Sequence, residues 1–147
     1  MPIYVNLGNE PHAATDERAQ EMVAAYKAMY EGAKAADPNV LVIGTSCGAD
    51  EIYFKNGFHQ YQDVFDFHAY DDANSIKSEL AKYKEKLFPK YNCAKPIWST
   101  ELGLNCQGMT RRVVTIDLIK KFAIFFAKGG ANMSWLDLLY PDPEGNN

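Results

Sequence analysis

The chain has 147 residues, a formal net charge of −4 and 47% hydrophobic residues, enough for one globular domain with a real core. It falls short of a complete eight-fold barrel, which takes about 250 residues. The apolar share and 13% aromatics exclude intrinsic disorder, and the mild acidity argues against nucleic acid or an anionic membrane as partner, since both need a basic patch.

No run reaches the roughly 18 uncharged apolar residues of a membrane span; the most apolar stretch is Phe122 to Ala127. Met1-Pro2-Ile3-Tyr4 enters a strand pattern directly, with no charged leader or signal-type segment. A soluble protein is expected, its compartment open: extracellular or periplasmic if a signal lies upstream. Cys47, Cys93 and Cys106 form no C-x-x-C pair, so neither a disulfide scaffold nor a structural zinc site is expected.

Strand-like runs begin at Ile3 to Leu7 and recur at Val40 to Gly44, Val64 to His68, Pro96 to Thr100 and Asn132 to Leu136. After the first, Thr15 is the N-cap of a helix with Asp16 and Glu17 in its first turn and a stripe of Met22, Tyr26, Met29 and Ala33, ended by Asp37-Pro38. Asp50 to Tyr61 carries the weakest helical pattern. A second helix shows Ile76, Leu80, Tyr83 and Leu87 at helical spacing. A third starts at Thr110, runs along Val114 or Val113, Leu118, Phe122 and Phe125, and closes at Gly129-Gly130. Strand and helix alternating in this way predict an α/β fold with a parallel sheet and helices outside it. No linker or repeat divides residues 1–147.

Carboxylates sit where such folds build sites. The first strand runs out into Gly8-Asn9-Glu10-Pro11-His12 and the fourth into Ser99-Thr100-Glu101-Leu102-Gly103, so Glu10 and Glu101 lie at the same end of two parallel strands with two others between them. In a flat sheet they would be three strand spacings apart, about 14 Å, and curling the sheet shortens that chord. A carboxylate pair about 5 to 5.5 Å apart is the requirement of retaining glycoside hydrolysis.

Asn9-Glu10-Pro11 after a strand, Phe67-His68-Ala69-Tyr70 after a later one, Thr100-Glu101-Leu102-Gly103 after the next and Trp135 on the last resemble clan A glycoside hydrolases. These are (β/α)8 enzymes with catalytic glutamates on strands 4 and 7, and the general look is that of families 5 and 39. The resemblance covers nearly the whole chain as strands 4 to 8 of the barrel. It implies a partial (β/α)8 TIM barrel, retaining hydrolysis of an oligosaccharide or polysaccharide, and no cofactor or metal. It further implies Glu10 as acid/base, Glu101 as nucleophile, Asn9 on the sugar 2-hydroxyl, Tyr70 orienting Glu101, His68 lining the subsite and Trp135 as a stacking floor. His12, after the proline, is a further residue at the site or in its loop.

Strand parity puts Asp66, His68 and Tyr70 on one face and Phe65, Phe67 and Ala69 on the other. On the fourth strand it groups Ile97, Ser99 and Glu101, leaving Trp98 and Thr100 for the helix layer. Pro11 biases Glu10 toward extended backbone. Each residue also has an ordinary reading: Glu10 as a loop residue capping the next helix, Glu101 as a solvated charge, His68 as a satisfied semi-buried histidine, Tyr70 and Trp135 as packing aromatics. Arg111-Arg112 and Lys120-Lys121 read as a solvated helix face. Cys93 and Cys106 flank the fourth strand on the order of 25 Å apart, out of disulfide reach.

Strands 1 to 3 of the resembled barrel, and its last helix after Tyr140, have no counterpart. Five-eighths of a barrel leaves two parallel edges and an apolar interior uncovered, which predicts either a fragment of a longer protein or pairing with a second copy or with a chain that supplies the missing part. A non-catalytic carbohydrate-binding or vestigial half-barrel is the alternative function. A different barrel enzyme using the carboxylates for metal binding or proton abstraction is a third, but no His/Asp cluster at ligand spacing favours it.

Overall fold

The computed structural model describes residues 3–106 and 108–136. The expectation that no helix follows Tyr140 lies outside the described residues. The element order is β1 (Tyr4–Asn6), α1 (Asp16–Ala36), β2 (Leu41–Ile43), α2 (Glu51–Lys55), β3 (Phe65–Ala69), α3 (Ala73–Ala81), α4 (Phe88–Tyr91), β4 (Ile97–Leu102), α5 (Arg111–Ala127) and β5 (Asn132–Trp135). This is the predicted strand and helix alternation. A 3-10 turn, Phe58–Gln60, follows α2, so Asp50 to Tyr61 is two short pieces rather than one helix.

Every strand pair is parallel: β1 with β2, β3 with β4, and β4 with β5. A bridge between Ile43 and Val64 joins the two groups, supported by Gly44 N–H on the Val64 carbonyl at 2.8 Å. Spatial order therefore equals chain order. Such a singly wound arrangement puts all the helices on one face, and the twist of parallel strands then rolls the other face inward. The roll is visible in a contact: the Tyr4 ring on β1 lies 4.8 Å from the Trp98 ring on β4. Those strands would be about 14 Å apart in a flat sheet.

The helices dock as their sequences dictate. Thr15 caps α1 by accepting Arg18 N–H at 3.3 Å, and the helix ends where Asp37 turns extended before Pro38. Its buried stripe is Ala19, Val23 and Tyr26 rather than the expected Met22, Tyr26, Met29 and Ala33. Met29 is 39% exposed, because Tyr30 turns inward and donates to Asp63 at 3.3 Å. On α3 the predicted stripe holds: Ile76, Leu80, Tyr83 and Leu87 are all buried with Phe65 and Phe67 in the main core. Between α3 and α4 the helix widens into a π segment, Lys82–Leu87, just before Pro89, which has no N–H to give to the turn behind it. On α5 Val114, Leu118 and Phe122 are half-buried and Phe125 fully buried, while Val113 faces out. Gly129, at φ 77°, takes the left-handed position that closes the helix.

Lys121 corrects the expectation of a solvated Lys120-Lys121 face. Its side chain is 0% exposed, donates to the Gly103 carbonyl and pairs with Asp117 at 2.9 Å. The helical period that turns Lys120 outward turns Lys121 into the core beside Phe125. All three cysteines are free, as expected. Among the described residues no helix is long and apolar enough to cross a membrane.

Candidate active site

The strands deliver their polar ends to one rim. On β3, parity acts as predicted: Phe65 and Phe67 enter the helix-side core, while Asp66 and His68 face the inside of the roll. On β4, parity fails. Ile97 packs into the helix-side core, whereas Trp98 meets Tyr4 and Thr100 meets Asp66 and His68 on the inner side. Glu101 is nonetheless inside as well, because β4 carries one extra residue. Asp66 pairs with Trp98 and His68 with Glu101, so two residues of β4 oppose one of β3; the register against β5 slips at the same place. A bulge of this kind re-aims the side chain that follows it. Two consecutive residues, Thr100 and Glu101, thus reach one site.

Three groups converge there. His68 Nδ1 lies 2.6 Å from Glu10 Oε1 and 3.4 Å from Glu101 Oε2. One ligating atom from each of the three residues falls within 4.8 Å of the others, a clustering that no spacing in the sequence displays. Such a set is also of the size that could take a small metal ion. The 2.6 Å contact already joins two of the three as hydrogen-bond partners. Tyr70 Oη donates to Glu101 Oε2 at 2.5 Å. Burial, then the hydrogen bond and charge of Glu101, push the Tyr70 phenol well above its ordinary range, so it stays a donor. Gly103 makes room for it: a Cβ there would sit 2.8 Å from the Tyr70 ring.

Glu10 is not extended as Pro11 led us to expect. Its φ is +44°, a left-handed conformation, held by its N–H on the Thr45 carbonyl at 2.9 Å. Ser46, next to Thr45, is left-handed too, at φ +61°. Strain of about 1–3 kcal/mol at such a residue persists only where its surroundings over-determine it, commonly in functional sites. The tertiary bond between the ends of β1 and β2 outweighs the local preference.

Beneath His68 lies a buried polar layer. Ser46 Oγ donates to Asp66 Oδ2, and Thr100 donates twice to the same carboxylate, from its N–H at 2.8 Å and its hydroxyl at 2.7 Å. Burial pushes the Asp66 carboxyl above the ordinary aspartate range, opposed by the hydrogen bonds of Ser46 and Thr100 and by the nearby His68. Motif reading missed Ser46 and sent Thr100 to the wrong face; the only signal for either is position, at the carboxyl ends of β2 and β4. Between the end of β3 and α3, a cleft of about 400 Å3 runs from His68 and Tyr70 past Asp71, Ser75, Ser78 and Lys82, and neither Glu10 nor Glu101 lines it.

No protein-family model matches the sequence, and no curated protein matches it. Solved structures do. The hyperthermostable endo-1,4-β-D-mannanase of Thermotoga petrophila RKU-1 aligns at 21% identity and TM-score 0.63, over 91% of this chain and 45% of that one. A family 39 glycoside hydrolase from Bacteroides cellulosilyticus WH2 aligns at 15% identity and TM-score 0.65, over 88% and 32%. A crystal structure described as a putative α-L-fucosidase from Bacteroides thetaiotaomicron VPI-5482 aligns at 14% and 0.56, over 91% and 47%. The fold is that of part of a (β/α)8 barrel. The chain spans less than half the length of the chains it matches.

Within this partial barrel, Glu10, His68, Tyr70 and Glu101 are brought together. No described hydrogen bond joins Asn9, His12 or Trp135 to these four. Asn9 and His12 flank Glu10 on its loop and are exposed. Trp135 is half-buried and packs against the helix-side core, with Lys121 Nζ 5.6 Å from its ring centre.

Proposed function

We propose that this chain is the catalytic segment of a retaining glycoside hydrolase acting on a neutral oligosaccharide or polysaccharide. The observation that carries the reading is the approach of a Glu10 oxygen to within 4.8 Å of a Glu101 oxygen at one rim of the roll. Retention needs carboxyl groups about 5 to 5.5 Å apart, whereas inversion leaves about 6.5 to 9.5 Å for a water. Glu101, oriented by the Tyr70 hydroxyl, attacks the anomeric carbon. Glu10 protonates the departing oxygen and then, as base, activates the water that releases the sugar. In this reading Asn9, next to Glu10 in the chain, meets the 2-hydroxyl, His68 lines the subsite, His12 borders it, and Trp135 stacks on a sugar. No cofactor enters this chemistry.

The test is hydrolysis of aryl glycosides and of β-1,4-mannan, the latter chosen because two neighbours are endo-β-1,4-mannanases. The full-length gene product should turn over at least one of them. Glu101→Ala should lose activity by about 10³-fold or more, and Glu10→Gln by about 10² to 10⁴, the usual worth of a general acid. Unchanged rates in both would end this reading. The alternative is a non-catalytic carbohydrate-binding or vestigial half-barrel, which sugar binding without turnover would support. We also propose that the chain pairs, through the uncovered side of its roll, with a second copy or with the rest of a barrel.

A further inference from the structure

The protons of the buried layer can be placed by elimination. Ser46 has one hydroxyl proton and gives it to Asp66 Oδ2, and Thr100 gives its own to the same oxygen at 2.7 Å. Three donors meet the two Asp66 oxygens, the set an ionised carboxylate takes, and with Asp66 ionised it only accepts, so neither hydroxyl has a proton left for a third partner. Yet His68 Nε2 lies 2.7 Å from Ser46 Oγ and 3.1 Å from Thr100 Oγ1. Both oxygens can only accept there, so Nε2 must carry a proton. On the other side of the ring, Nδ1 faces Glu10 Oε1 at 2.6 Å and Glu101 Oε2 at 3.4 Å. Two unprotonated acceptors would repel at 2.6 Å, so one proton lies between Nδ1 and Glu10. The ring side chain is 5% exposed and Asp66 fully enclosed, which keeps water from substituting for Ser46 and Thr100 on the Nε2 side, while the Glu10 side chain is half exposed.

We propose that Asp66 is a positioning residue which, through Ser46 and Thr100, holds His68 as the Nε2–H donor and so keeps one proton lodged between His68 Nδ1 and Glu10. Asp66 also accepts the N–H of Thr100 at 2.8 Å, inside the β4 bulge that turns Glu101 to the site. One buried carboxylate therefore braces both sides of the pair. The proton's use as the acid rests on the glycosidase reading; its location does not.

The isosteric variant Asp66→Asn separates the two. Its carbonyl can keep the Thr100 N–H, but its amide would now donate to Ser46 and Thr100, freeing their hydroxyl protons for Nε2. Nitrogen-15 NMR of the histidine ring in the full chain should show Nε2 protonated in the wild type and unprotonated in Asp66→Asn, with the proton at Nδ1 facing an ionised Glu10. A wild-type His68 without a proton on Nε2 would overturn the proposal, and this spectrum decides even where the variant does not fold. A folded Asp66→Asn that keeps Nε2–H would overturn it as well. In catalysis, Asp66→Asn should lower kcat at least tenfold on glycosides with poor leaving groups and change it little on dinitrophenyl glycosides, which need no acid. Equal loss on both would reject the acid role. An inactive wild type with the expected ring spectrum would instead sink the glycosidase reading and leave the proton placement standing.

Discussion

Tyr70 illustrates how single residues act here. Its hydroxyl is the one described donor on Glu101 Oε2, at 2.5 Å, and a hydrogen bond to a charged group is worth about 1.5–3 kcal/mol. Tyr70→Phe should therefore cut kcat about ten- to hundredfold with little change in KM or in Tm, measured by steady-state kinetics and thermal unfolding. Gly103→Ala should reach the same end by another route, since its Cβ would push the Tyr70 ring aside. Loss of activity in Tyr70→Phe but not in Gly103→Ala would show that the ring has room to move.

At the scale of elements, packing and one ion pair set stability. Leu80 is buried between α3 and the sheet, so Leu80→Ala should destabilise by about 2–5 kcal/mol in denaturant unfolding. Asp63, at the entry to β3, pairs with Lys34 of α1 at 2.7 Å and accepts Val42 N–H at 2.8 Å. Burial alone would raise its carboxyl, but Lys34, the Val42 amide and the Tyr30 hydroxyl together hold it below the ordinary aspartate value of 3.8. A carboxyl depressed in the folded state contributes stability above its unfolded pKa and loses it as pH falls through the folded value. Tm should therefore drop on acidification below pH 3.8, and Asp63→Asn should flatten that part of the profile. An unchanged acid limb in the variant would assign the fall to other carboxyls. The helix stripe of α3 was legible because its apolar period is regular. That of α1 was not, since Met29 and Tyr30 are both apolar enough to compete and only the partner Asp63 selects between them.

For the whole molecule, apolar side chains stay exposed: Ile3 and Tyr4 at β1, Ile116, Ile119 and Phe126 on α5, and Leu136 after β5. Apolar area of this kind is normally covered by a neighbour. Light scattering after size exclusion should find the 147-residue chain above its monomer mass of 16.5 kDa. A monomer that unfolds cooperatively would count against pairing.

The alternation of strands and helices, the caps at Thr15 and Thr110, the stripe of α3 and the placement of Glu10 and Glu101 at strand ends could all be read from the chain alone. Those features depend on local periodicity and on backbone groups satisfied within a few residues. The closeness of Glu10, His68 and Glu101 depends on how far the sheet rolls. The inward turn of Thr100 and Glu101 together depends on a bulge stabilised by Asp66 from the neighbouring strand. The left-handed backbone of Glu10 depends on a bond to Thr45. Each of these is decided by a partner at least 30 residues away, and no period or spacing within a segment encodes which partner that will be.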